Sequence, residues 1–184
     1  MAQYYRDFSE TIDALDHEVD FSCLEPGETA YSRGFFRPWT ANDNDWTVVT
    51  FDGKTVIKHY VTVAARRVCL WASGGVFADV EALGCVYVTS TSLKSSGLIL
   101  RAKGTAAQEY GYRFVTYTGP KIVIGRYSAG VYSVLKDGAY VFNTGWYWIR
   151  AQAIGGNLKM RIWADGAAEP ETWNLEVADG SPLD

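Results

Sequence analysis

The sequence predicts an all-β protein of antiparallel strands, on three observations. Helical periodicity is almost absent along its 184 residues. From Thr29 onward, short runs alternate apolar and polar residues, the period-2 signature of half-buried strands. Between them stand Asp52-Gly53, Asp137-Gly138, Asp165-Gly166 and Gly155-Gly156. The Asp-Gly pairs read as type I′ hairpin turns, whose positive φ these residues accept. About a dozen such strands in one domain make a sandwich or a barrel.

In chain order, residues 1–28 read as an acidic arm in which Ser9 caps one helical turn over Ser9–Leu15. This arm either supplies a strand near Tyr4–Phe8 or wraps a neighbouring subunit, and Pro26-Gly27 ends it in a loop. Strands are then expected over Thr29–Arg37, Trp46–Phe51, Thr55–Val63, Arg67–Trp71 and Ala78–Thr89. Further strands are expected over Ser96–Ala102, Tyr110–Tyr117, Lys121–Tyr127, Val131–Leu135 and Tyr140–Phe142. Trp146–Ala153, Asn157–Ala164 and Trp173–Val177 complete the series. All are rich in the β-branched and aromatic residues that suit a pleated surface. The sandwich is expected to run from 29 to 178, with residues 179–184 frayed.

The hydrophobic fraction of 48% suffices for a core, because a chain of this size buries roughly 70% of its unfolded surface. Seven Trp and twelve Tyr exceed what a small core requires. Some are expected at a ligand or subunit surface, where rings with one polar edge are favoured. The net charge of −4 and the scattered Lys and Arg argue against nucleic acid as partner, which needs a basic stripe. They argue equally against attraction to an anionic membrane. Met1–Asp7 has no apolar leader character, so maturation in a reducing cytoplasm is expected. Cys23, Cys69 and Cys85 are odd in number, two of them in apolar runs, and are expected as free thiols.

Candidate chemistry is sparse. Asp79 and Glu81 stand at i and i+2, so on a strand their carboxylates share a face. Arg101, Arg113, Arg126, Arg150 and Arg161 recur on successive strands. With Asp79, Glu81 and Tyr127, the first three could line one concave face, where forked donors and rings meet sugar hydroxyls or carboxylates. The competing reading is cross-strand ion pairing. The loop Pro38–Trp46 alternates Asn and Asp and reads as a polar turn in preference to a calcium loop. Trp148, Trp163 and Trp173 read as core, and Trp146 as exposed. His17 and His59 have no partner pattern, so no catalytic triad, metal centre or cofactor is expected.

The series Gly97–Arg101, Tyr110–Phe114, Ile124–Tyr127, Trp146–Arg150, Asn157–Trp163 and Glu169-Pro170…Trp173 resembles the concanavalin A-like lectin/glucanase superfamily. The resemblance implies a two-sheet jelly-roll sandwich. In its glucanases a Glu-x-Asp-x-Glu strand carries nucleophile and acid/base. Here Phe77 stands in the nucleophile register, and Glu81 in that of the acid/base. Retaining hydrolysis needs two carboxyls about 5–5.5 Å apart, so the resemblance implies no hydrolase. The opening Tyr5–Ser9 and the tail Trp163-Ala164-Asp165-Gly166…Glu169-Pro170 are similar to bacteriophage virion proteins and bacterial surface modules. The expectation is a non-catalytic, homo-oligomeric virion component: capsid decoration, neck or tail fibre. It would engage other virion proteins or a host-surface glycan through Asp79, Glu81, Arg101, Arg113, Arg126, Tyr127 and Trp146. The alternatives are a stand-alone lectin and an endo-acting glycosidase that takes its second carboxylate from another strand.

Overall fold

A computed structural model describes residues 2–7, 17–20, 27, 36–38, 46–59, 69–71, 78–89, 95–105, 108–117 and 119–183. It is all-β, with no helix among the described residues. The fourteen strands among the described residues are β1 (Ala2–Asp7), β2 (His17–Asp20), β3 (Phe36–Pro38), β4 (Trp46–Phe51), β5 (Lys54–His59), β6 (Cys69–Trp71) and β7 (Val80–Val88), followed by β8 (Gly97–Thr105), β9 (Gln108–Tyr117), β10 (Lys121–Ser128), β11 (Val131–Ala139), β12 (Gly145–Ile154), β13 (Asn157–Ala164) and β14 (Leu175–Ala178). The expected helical turn over Ser9–Leu15 and the Asn/Asp loop at 39–45 lie outside the described residues.

The chain divides into two compact units: Met1–Ala2 with His17–Gly75, and Gln3–Asp16 with Val76–Asp184. In the first, β3 pairs with β6 and β4 with β5. Asp52 and Gly53 both have positive φ, the type I′ geometry expected for that turn. The described parts of the strands expected between 29 and 75 thus pair among themselves.

The second unit is an antiparallel sandwich. One sheet runs β14-β13-β12-β7 with β1 beyond β7, and the facing sheet runs β11-β10-β9-β8. The chain crosses between sheets after β7 and returns after β11. Alternation places Tyr147, Ile149, Ala151 and Ala153 of β12 and Leu158, Met160 and Ile162 of β13 inward, against Leu98, Leu100, Tyr112, Phe114, Ile122 and Ile124 of the other sheet. The odd residues of β7, Glu81 to Tyr87, occupy the opposite, outer face. β1 pairs residue by residue with β7, Tyr4 opposite Leu83 and Asp7 opposite Val80, so this part of the expected arm is a sheet strand.

Two turn assignments are corrected. Asp137-Gly138 is no turn: both residues lie inside β11, Asp137 opposite Val123 and Gly138 opposite Ile122, and Asp137 pairs with Lys121 at 3.2 Å. The hairpin instead closes at Ala129-Gly130, both at positive φ, so the strand expected at Val131–Leu135 runs on to Ala139, and Tyr140–Phe142, expected as a strand, lies in none. At Asp165-Gly166 only the glycine has positive φ, so that turn is not type I′.

The segment after Ala178, expected to fray, is packed. Leu183 is buried in the core cluster and Asp179 is buried beside it. The two anchors hold because both find partners on the facing sheet.

Candidate functional site

The residues expected on one concave face fall into three groups. The first surrounds Arg101. Strict alternation with Leu98 and Leu100 places Arg101 on the outer face, but the register of β8 against β9 shifts between Leu100 and Lys103. Arg101 takes φ 52° at this bulge, a conformation that costs a non-glycine residue about 1–2 kcal/mol. The bulge turns its side chain to the inside, where it is 4% exposed. One guanidinium nitrogen donates to the carbonyls of Gly155 (2.9 Å) and Leu183 (2.6 Å). The other donates to Asp79 (3.1 Å) and the carbonyl of Ala153 (3.3 Å). Asp79 also accepts from the Gly155 amide at 2.7 Å. At the same end Arg126 donates to Asp179 at 3.0 Å, and the Tyr112 hydroxyl donates to it at 2.8 Å. Burial raises the Tyr112 pKa, and the hydrogen bond to Asp179 adds to that. Asp79, Arg101 and Arg126 therefore tie one sheet to the other.

The second group is a polar ladder on the outer face of the β7–β12–β13 sheet. Glu81 of β7 sits opposite Gln152 of β12, and Arg150 of β12 opposite Arg161 of β13. Both oxygens of Glu81 are engaged, one by Arg150 and the other by Gln152 at 2.9 Å. Glu169, from the loop after β13, accepts a two-point bond from Arg150 (2.7 and 2.9 Å) and one from Arg161 (2.9 Å). The Arg161 guanidinium lies 4.2 Å from the Trp173 ring centre, a cation–π stack. Burial disfavours the charge on Arg150, but hydrogen bonds to Glu169 and Glu81 outweigh it and raise its pKa. Burial likewise disfavours ionised Glu169, and the bonds from Arg150 and Arg161 outweigh it and hold the carboxyl below the usual range. Sequence reasoning missed Glu169, since its ten-residue loop gives no periodic signal. Two arginines in register on neighbouring strands, Arg150 and Arg161, were the available hint that an acid must lie between them.

The third group lies on the outer face of the other sheet. Arg113 stands 5.8 Å from the Tyr127 ring centre and 5.6 Å from that of Tyr132, and the two rings are 4.9 Å apart. Arg113 and Tyr127 are thus brought together as expected, with Tyr132 as an unforeseen third member. The Tyr132 ring lies over Gly125, where a Cβ would meet its Cε2 at 2.5 Å. Gly125→Ala is expected to displace the ring and cost about 1–3 kcal/mol; a change in urea midpoint together with altered Tyr132 aromatic NMR shifts checks it. Trp146 is separate from all three groups. It packs edge-on against Tyr87 at 5.1 Å, half-buried.

Among the described residues, no three His, Cys, Asp or Glu side chains gather as a metal site. Cys85 is not joined in a disulfide; the side chains of Cys23 and Cys69 lie outside the described residues. Comparisons with family models, curated proteins and solved structures find no match to this chain.

Proposed function

We propose that this chain is a non-catalytic β-sandwich module that acts by association. Its setting is the one the sequence resemblance implies, a bacteriophage particle in which it engages neighbouring subunits or a host glycan. The observation that carries the reading is the state of Glu81. This carboxylate stands in the hydrolase acid/base register, yet both of its oxygens are bonded to Arg150 and Gln152. The neighbouring carboxylate, Glu169, is held ionised by two guanidinium groups. General acid catalysis needs a carboxyl that is free to reach the substrate and keeps its proton near working pH; the Glu81 oxygens are both taken up by neighbours, and Glu169 is held in the opposite state.

Surface chemistry supports association as well. Val131 and Val134 of β11 are 70% and 51% exposed, beside Tyr132. Light scattering of the full chain is expected to show a concentration-dependent oligomer, and Val131→Lys with Val134→Lys to weaken it at least tenfold. A chain that stays monomeric and binds a sugar on a glycan array moves the reading to a lectin, with the Tyr87–Trp146 pair as first candidate surface. Turnover of a β-glucan that disappears in Glu81→Gln overturns it altogether.

A further inference from the structure

The end of the sandwich closed by Arg101 is built as a receptor and its occupant. The receptor belongs to the sheet β8-β9-β10. Tyr112 and Arg126 are directly opposite each other in register, and Leu100, beside the Arg101 bulge, is opposite Tyr112. Neighbouring strands thus aim a phenol and two guanidinium groups at one place. The occupant is residues 179–183, which follow the last strand and belong to no sheet. Asp179 enters with its side chain 5% exposed, accepting from Arg126, from Tyr112 and from the Ser181 amide (3.0 Å). Four residues later Leu183 buries its side chain in the core. Its amide donates to the Tyr112 hydroxyl at 2.8 Å, and its carbonyl accepts from Arg101. Gly180, Ser181 and Pro182 bridge the two anchors on the surface.

Two observations separate receptor from occupant. Tyr112 and Arg126 stand in unbroken register on β9 and β10, with Arg101 at the β8 bulge beside them, whereas the segment has few main-chain bonds outward: the Asp179 amide to the Gly156 carbonyl at 2.8 Å, the Leu183 amide to Tyr112 and the Leu183 carbonyl from Arg101. Few main-chain bonds and three exposed residues between two anchors are the features of a low-stability local unit. In addition, the Nε of both Arg101 and Arg126 is buried without a hydrogen-bond partner, so the segment leaves two buried guanidinium donors unused. A ligand bringing further acceptors would satisfy them, and buried unpaired donors are costly to leave.

We propose that this end of the sandwich is a binding site for an acidic peptide, occupied in cis by the chain's own residues 179–183. The ligand class is set by the occupant: a side-chain carboxylate for Arg126 and Tyr112, followed four residues on by an apolar side chain with a main-chain carbonyl for Arg101. The bulge at Arg101 with its positive φ fits this assignment, since backbone strain is kept where surrounding structure and function demand it. An intramolecular occupant lowers the apparent affinity for an external peptide by the fraction of time the site is open.

The experiment uses the full chain in two steps. Hydrogen exchange of the wild type is expected to show the Ser181 and Leu183 amides exchanging at least a hundredfold faster than the β12 amides. Exchange of the two sets at one rate would mean that the segment opens only on global unfolding, and overturns the proposal. The full-length Asp179→Ala/Leu183→Ala variant is then titrated with a synthetic peptide of residues 178–184. It is expected to bind at least tenfold more tightly than the wild type, and adding Arg126→Met is expected to abolish the gain. Equal binding by variant and wild type, no binding by either, or loss of strand structure in the variant each overturn the proposal. The association reading rests separately on light scattering of the unaltered chain and survives that failure.

Discussion

Arg101→Ala is expected to lower stability by about 3–5 kcal/mol, the range for removing one partner of a buried charged cluster. Four acceptors depend on this guanidinium: Asp79 and the carbonyls of Ala153, Gly155 and Leu183. Ala153 lies next to the end of β12 and Gly155 in the β12–β13 turn, so the lost bonds release that turn as well as the segment at 179–183. Ala also keeps a Cβ at φ 52°, so the strain stays while its compensation goes. Arg101→Gly is therefore expected to be milder than Arg101→Ala by about 1 kcal/mol. Arg101→Lys retains a charge but not the forked donors that reach four acceptors, and is expected to recover less than half of the loss. Urea unfolding followed by Trp fluorescence checks the order wild type, Lys, Gly, Ala. A midpoint for Arg101→Ala within error of wild type would mean that the contacts around it are worth little.

Most strands from Ala78 onward were legible because one face of each lies in a continuous core, and burial on one face writes period 2 into the sequence; β11, with no buried residue, runs past the expected Leu135 to Ala139. Asn157–Ala164 matches β13 residue for residue, and its neighbours differ from expectation by a few terminal residues. The turns were harder. Asp137-Gly138 carries the same dipeptide as Asp52-Gly53, yet pairing of Lys136–Ala139 with Lys121–Ile124 of β10 keeps it in a strand, a tertiary demand that outweighs local turn preference. Ala129-Gly130 makes the real turn with a residue that rarely takes positive φ. The candidate face was less legible still, because alternation assigns a side chain to a face only while register holds. One bulge at Leu100–Lys103 moved Arg101 from the outer surface to the interior. Arg113 and Tyr127, in unbroken register, met as expected. The partners of Arg126 and Glu81, namely Asp179 and Glu169, come from irregular segments after strands, where sequence pattern carries no distance information.

Arg150→Met is expected to cost about 3 kcal/mol or more, because it leaves Glu81 and Glu169 facing each other across a half-buried surface with their shared cation removed. The pH dependence of the ladder separates its charge from its packing. The folded pKa of Glu169 is depressed by Arg150 and Arg161 against the opposing effect of burial. Its contribution is therefore present above the unfolded carboxyl value of about 4.3 and is lost as pH falls through the lower folded value. The raised pKa of Arg150 acts in the opposite sense and is fully expressed at every pH below its unfolded value, so it adds no slope in acid. Glu169→Gln is expected to cost about 1.5–3 kcal/mol at neutral pH, the range for hydrogen bonds to charged groups. The gap to wild type should narrow from about pH 4 downward, as protonation removes the same charge from the wild-type protein. Stability curves from urea unfolding between pH 7 and pH 2.5 read this directly. Parallel curves would show that Glu169 holds its loop through shape and neutral bonds, with the charge contributing nothing.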